Sequence, residues 1–261
     1  MITIIKSDVP LAKTYTGTPE GVVKGKSARV SEGIATLVDV RTAPELVELL
    51  HRVCAATDEA ICAGAFTGAK VGDPIRLVAE STLIAQLKVP RPEGRVHLIA
   101  GRPTVARLKR GTEPTEWLLL DADNPPGIPD AWAKMSITER LALWEPMIPG
   151  ISRCERVELR GSSARVGSGH VATHAWIRVS NPELVAALKS YVGVAMVNRN
   201  LSFNFHKHST IDPSRVVGIE ARSVFDLAVW DTGRLVFCSR PILIDMGATE
   251  VADPDIRIVN E

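Results

Sequence analysis

The segment that most restricts the fold is Glu116-Trp-Leu-Leu-Leu-Asp121-Ala122-Asp123-Asn-Pro-Pro-Gly127. Four consecutive apolar residues read as a strand buried on both faces. Such a strand needs cover on both sides, which favours layers of sheet and helix over a helical bundle. The run stops at two aspartates two residues apart. In a strand, residues i and i+2 point to the same face, about 7 Å apart at Cα. Pro125, Pro126 and Gly127 end the strand at once, so the pair stands at the rim of a sheet, open to a ligand. Two carboxylates there either cap the following loop or repel each other until a divalent cation lies between them.

Short strands and helices alternate through the rest of the chain. Residues 22–24 and 28–30 read as strands around a turn, and 34–40 as a further strand. Thr42 and Glu45 form a capping box ahead of the stripe Leu46, Leu49, Leu50 and Val53, so a helix runs to about residue 57. Residues 59–66 read as a short buried strand and 75–87 as a second helix. Prolines and glycines punctuate 89–116, which therefore reads as connections. This stretch also carries the basic run Arg95, Arg102, Arg107, Lys109 and Arg110. Beyond the 117–123 strand the pattern predicts a helix at 136–146, strands at 155–160 and 171–179, and a helix at 182–190. Strands follow at 222–229 and 234–238. The sum is an α+β chain with neither internal repeat nor low-complexity tract.

Composition excludes some classes of function. With 31 Lys and Arg against 30 Asp and Glu, the net charge of +1 excludes a histone-like or polybasic protein. At 261 residues and 45% apolar, the chain buries roughly 70–75% of its unfolded surface without needing disulfides. The cysteines, Cys54, Cys62, Cys154 and Cys238, show no CxxC spacing and read as buried small hydrophobes in a reduced, cytoplasmic setting. No apolar stretch approaches the ~18 residues of a membrane span, and the start lacks a signal-peptide layout.

Two further segments carry chemistry. Val157 to Val179 reads as a hairpin with a Ser/Gly-rich crest at Ser162, Ser163 and Ser168. In its second strand His174, Trp176 and Arg178 share one face. A histidine, an arginine and serines together suit an anion, whereas a single buried His is also an ordinary core residue. His170 lies four residues before His174, too far along a strand (~13 Å) to share a metal with it. The second segment is Ser223-Val-Phe-Asp226-Leu-Ala-Val-Trp230, followed by Arg234-Leu-Val-Phe237. An Asp inside an apolar run needs compensation, either from a metal shared with Asp121 and Asp123 or from an ion pair with Arg234.

Taken in order, these segments resemble the motifs of the archaeo-eukaryotic primase superfamily, within it the primase-polymerase domains of phages and plasmids. A strand-borne DxD matches Asp121 and Asp123; a Ser-x-His type hairpin matches Ser163 and His174; an Asp ahead of an Arg-Leu strand matches Asp226 with Arg234-Leu235. The likeness covers about residues 115–245, and the amino-terminal third matches only in outline. The eleven positions from Ser163 to His174 exceed the tight hairpin of many members, leaving Ser162, Ser163 and Ser168 as alternatives for the serine.

The resemblance implies one catalytic domain with sub-lobes at about 1–105, an α/β unit, and 106–261, an RRM-like antiparallel unit. The active site would lie between them. It implies template-directed nucleotidyl transfer, as a DNA primase or polymerase that makes or extends primers. Asp121, Asp123 and Asp226 would hold two Mg2+ or Mn2+ ions, which take oxygen ligands. Ser163, His174 and Arg234 would bind the nucleoside triphosphate, and Arg107, Lys109 and Arg110 the single-stranded DNA template. A replicative helicase, fused or separate, is an implied partner, although the chain holds no GxxxxGK[ST]. Two alternatives remain. One is a catalytically silent nucleic-acid-binding replication module. The other is a rolling-circle endonuclease built on His206-Lys-His208, which would need Tyr15 or Tyr191 as nucleophile.

Overall fold

The computed structural model describes every residue except 26–29, 167–172, 210, 211, 213, 248 and 261, and only the backbone of Lys109. His170 and Ser168 therefore lie outside the described residues. The chain is α+β, built on two main sheets. The larger has seven strands in the order Leu235–Val236, Glu59–Cys62, Ile2–Lys6, Gly33–Val38, Pro74–Val78, Arg102–Ala106 and His97–Ile99. Its pairs are antiparallel except Pro74–Val78 against Arg102–Ala106. The smaller has four antiparallel strands, in the order Trp117–Ala122, Thr173–Arg178, Arg156–Arg160 and Arg257–Val259. A three-stranded sheet joins Ile242–Ile244, Thr14–Thr18 and Gly21–Lys24, and Phe203–His208 pairs with Val216–Arg222 as a separate ribbon.

Alternation in Ile2–Lys6 divides the core. Ile2 and Ile4 face a cluster containing Leu46, Leu50 and Val53 of the helix Ala43–Ala55, the strand Trp117–Ala122, and Trp144. Ile5 faces the opposite cluster with Phe66, Ile75, Leu77 and Val105. The helix Ala43–Ala55 begins as its sequence dictates: Thr42 Oγ1 accepts from the Glu45 N–H, and the Glu45 carboxylate accepts from the Thr42 N–H. Trp117 to Leu120 are all buried, as their unbroken apolar run requires.

Several local expectations are corrected. The stretch 75–87 divides into the strand Pro74–Val78 and the helix Glu80–Leu87, because Ile75 and Leu77 alternate inward with period two. Pro74 opens that strand, where its missing N–H costs no ladder bond. Residues 59–66 form two strands, Glu59–Cys62 and Gly64–Phe66. Residues 89–116, expected as connections, contain three short strands, His97–Ile99, Arg102–Ala106 and Thr112–Pro114. The last helix is longer than expected, Val185–Asn198. Residues 222–229 are not a strand. Val216–Arg222 is one, and Leu227–Trp230 is a 3-10 turn capped by Asp226. Cys54, Cys62 and Cys238 are buried, but Cys154 is exposed. Among the described residues no helix is long and apolar enough to cross a membrane.

Candidate active site

The site begins at the carboxyl end of Trp117–Ala122. Asp121 is the penultimate strand residue and Asp123 follows the last, so both project from the same face into one cleft of about 690 Å³. The neighbouring strand brings His174 directly opposite Asp121, the two being register partners. His174 Nε2 lies 3.5 Å from Asp121 Oδ1. Burial lowers the imidazole to about 4, so near neutral pH this is a contact of a neutral ring with a carboxyl group rather than an ion pair. Among the described residues His174 Nδ1, fully enclosed, has no hydrogen-bond partner.

Asp226 reaches the same cleft from more than a hundred residues away, and its neighbours carry it there. Val224, Phe225, Val229 and Trp230 are buried. Phe225 and Trp230 both meet Trp144 edge-on, with ring centroids 4.8 and 5.9 Å apart. Trp230 Nε1 donates to the Leu119 carbonyl at 2.9 Å, and the Asp226 N–H donates to the Asp121 carbonyl at 2.9 Å. The 3-10 turn is thereby fastened along the strand that bears Asp121. The Asp226 carboxylate caps the turn, accepting from the Ala228 N–H at 2.9 Å. That local bond competes with a ladder and explains why the segment turns instead of extending.

Arg234 enters through the edge of the large sheet. Its carbonyl accepts from the Ala63 N–H at 2.9 Å, and Leu235 pairs with Cys62. The approach needs Gly64, where a Cβ would stand 2.7 Å from both the Glu113 and the Thr232 carbonyl oxygens. The Arg234 side chain is exposed along the cleft, and among the described residues it forms no ion pair with Asp226. The structural ion-pair reading of Asp226 is therefore not what the geometry shows.

Charge in the cleft is balanced by position. Asp121, Asp123, Asp226 and Glu80 face Lys13, Lys24, Arg107 and Arg234. Burial raises Asp121 to about 7, and the charges of Asp123 and Asp226 push in the same direction, while Lys13 and Lys24 oppose them. Lys13 is lowered by burial and then by Lys24. Neither lysine belongs to a motif; the only sequence signal was their scatter through a polar, Gly-rich start. Among the described residues no three His, Cys, Asp or Glu side chains close around a point as a complete metal cage. The carboxylates nevertheless suit an oxygen-seeking cation that keeps waters and takes further oxygens from a phosphate.

Not every anticipated residue faces the cleft. Arg107 does, with Nη1 donating to the Gly233 carbonyl at 2.7 Å. Arg110 does not line the cleft itself: it lies 2.8 Å from the carboxylate of the cleft residue Glu80 and is bonded to the Pro92 carbonyl. The Lys109 side chain lies outside the described residues. Ser163 is not among the described cleft residues, and with Ser162 it packs at the Tyr15 hydroxyl. Among the described residues Ser31 is the serine that lines the cleft. Arg178 lies 3.5 Å from Glu116 on an exposed face, as a solvated strand residue. The His206 and His208 strand is mostly exposed and Tyr15 is buried. No protein-family model, no curated protein and no solved structure matches this chain.

Proposed function

We propose that the chain is a metal-dependent nucleotidyltransferase that makes or extends DNA strands on a single-stranded template. One observation carries the reading: Asp121, Asp123, His174, Asp226 and Arg234, drawn from three separate segments, line one cleft together with three further cations. The order of elements supports it. From Trp117 to Asn198 run a strand, the helices Asp130–Ala133 and Ile137–Trp144, two strands and the helix Val185–Asn198, with the first strand paired to the third and the third to the second. This order is compatible with the start of a split β-α-β unit, as an RRM-like reading requires. The Asp226 turn lies along the free edge of the first strand.

Asp121, Asp123 and Asp226 would hold Mg2+ or Mn2+, which would activate the attacking 3′-hydroxyl and offset charge on the leaving pyrophosphate. Lys13, Lys24 and Arg234 bind and orient the triphosphate of a nucleoside triphosphate by charge-assisted bonds, and Arg107, which also faces the cleft, meets the template backbone. His174, neutral at working pH, offers an N–H to a phosphate oxygen without adding a charge beside Asp121. Its enclosed position fixes the ring where the two strands pair. A replicative helicase is the partner this activity calls for. Incubation with primed and unprimed single-stranded DNA, Mn2+ and labelled nucleotides tests the reading. The expected result is strand synthesis that disappears in Asp121→Ala, Asp123→Ala and Asp226→Ala, each of which stays folded.

A further inference from the structure

Arg140 lies in the helix Ile137–Trp144 and is 1% exposed. A buried guanidinium is costly unless its donors are engaged. Among the described residues Arg140 forms no ion pair with a carboxylate; neutral acceptors hold it instead. Its Nη2 donates to Asn124 Oδ1 at 2.6 Å, its Nη1 to the Val224 carbonyl at 2.7 Å, and its Nε to the Met135 carbonyl at 3.4 Å. Asn124 is the residue after Asp123, and Val224 is two before Asp226. Asn124 is itself fixed from its other end, donating Nδ2 to the Ala133 carbonyl at 2.9 Å. One planar fork therefore bridges the loop that leaves the first two aspartates and the segment that delivers the third.

The choice of residue is chemically specific. Only a guanidinium presents two diverging N–H donors in one rigid plane; a lysine reaches one acceptor at a time. The guanidinium is near enough to sense the negative charge of Asp123 and Asp121 without bonding to either. It therefore supplies positive charge behind the carboxylates while leaving their oxygens uncommitted to itself.

We infer that Arg140 is the positioning residue of the cation site, setting the separation of Asp121 and Asp123 from Asp226 through Asn124 and the Val224 carbonyl. The inference rests on the proposed metal-dependent reading of the cleft. Arg140 touches neither nucleotide nor metal; it acts through the segments it ties together.

The test uses the whole protein with Mn2+, whose free form is counted by electron paramagnetic resonance without any turnover. Asn124→Ala removes one arm of the bridge from a half-buried loop position, and Arg140→Lys keeps the charge while losing the fork. Thermal melting identifies the variants that remain folded; if Arg140→Lys does not, Asn124→Ala carries the test alone. The expected result is a half-saturating Mn2+ concentration raised about tenfold or more, with the nucleotide KM at saturating Mn2+ within about twofold of wild type. Excess Mn2+ should then restore kcat, which general loss of structure would not allow. Unchanged Mn2+ binding in folded Asn124→Ala overturns the positioning role and leaves the reading of the cleft intact. A wild-type protein that binds no Mn2+ removes both.

Discussion

A carboxyl group raised to about 7 costs the folded protein stability wherever the pH ionises it. Asp121 has an ordinary value of 3.8, and burial with two neighbouring aspartates accounts for the rise. The folded value lies above the unfolded one. The stability contribution is thus fully present below about 4 and is lost as pH rises through about 7. A rise from 3.8 to about 7 corresponds to at most roughly 4 kcal/mol, and because Asp121 is partly exposed to solvent we take about 2 kcal/mol. Asp121→Asn in EDTA should therefore melt roughly 4–8 °C above wild type at pH 8, the gap closing towards pH 4. A gap that does not vary with pH would show that Asp121 is not held in a repulsive cluster. Asp123→Asn relieves the same repulsion less directly and should melt ~2–4 °C higher in EDTA, for about 1 kcal/mol. Mn2+ should raise the wild-type melting temperature, since it binds only the folded site, and raise this variant's much less. His174→Ala should weaken nucleotide binding more than template binding, as titrations with each ligand would show. Equal loss of both would place His174 in the packing alone.

At the scale of elements, Asp226 combines two roles that substitution can separate. Its carboxylate caps the turn Leu227–Trp230 and faces the cleft. Asparagine caps about as well as aspartate, whereas alanine costs about 1 kcal/mol. Asp226→Asn should keep or raise the melting temperature yet lose nucleotide incorporation, while Asp226→Ala should stay folded, melt a few degrees lower and lose incorporation as well. Full activity in Asp226→Asn would leave only the cap. Elements whose signal is local were legible in the sequence. The Thr42–Glu45 capping box, the four-residue apolar strand before Asp121 and the hairpin bearing His174 all stand where the pattern put them. The 222–229 segment misled because its apolar residues pack on Trp144 from a turn, a tertiary fact with no period of its own. Pro74–Val78 was absorbed into the helix behind it because a five-residue strand running straight into Glu80 leaves no punctuation. Arg140 carries no signal in the sequence beyond lying in the expected 136–146 helix; only the fold reveals that it is buried between two segments.

At the scale of the whole molecule, two sheets from different parts of the chain contribute to one cleft, and the Leu235–Val236 strand returns to the amino-terminal sheet to close it. Sequence order brought out the three aspartates but not Lys13 and Lys24; Lys24 reaches the cleft from the three-stranded sheet, and Lys13 from just ahead of its strand Thr14–Thr18. With a net charge of +1 there is no global basic field to gather DNA. Template binding should be weak and salt-sensitive, with a slope of roughly −0.7 for each phosphate contacted on single strands. Arg107→Ala should flatten that slope by about one contact in a shift assay; binding indifferent to salt would contradict an electrostatic template path. The most direct test of the whole account is primer extension on single-stranded DNA with Mn2+ and labelled nucleotides, comparing wild type with folded Asp121→Ala, Asp123→Ala and Asp226→Ala. A metal-dependent polymerase at this cleft gives template-dependent products from wild type and none from any of the three. No incorporation by wild type under primed and unprimed conditions, or incorporation retained by the variants, would contradict it.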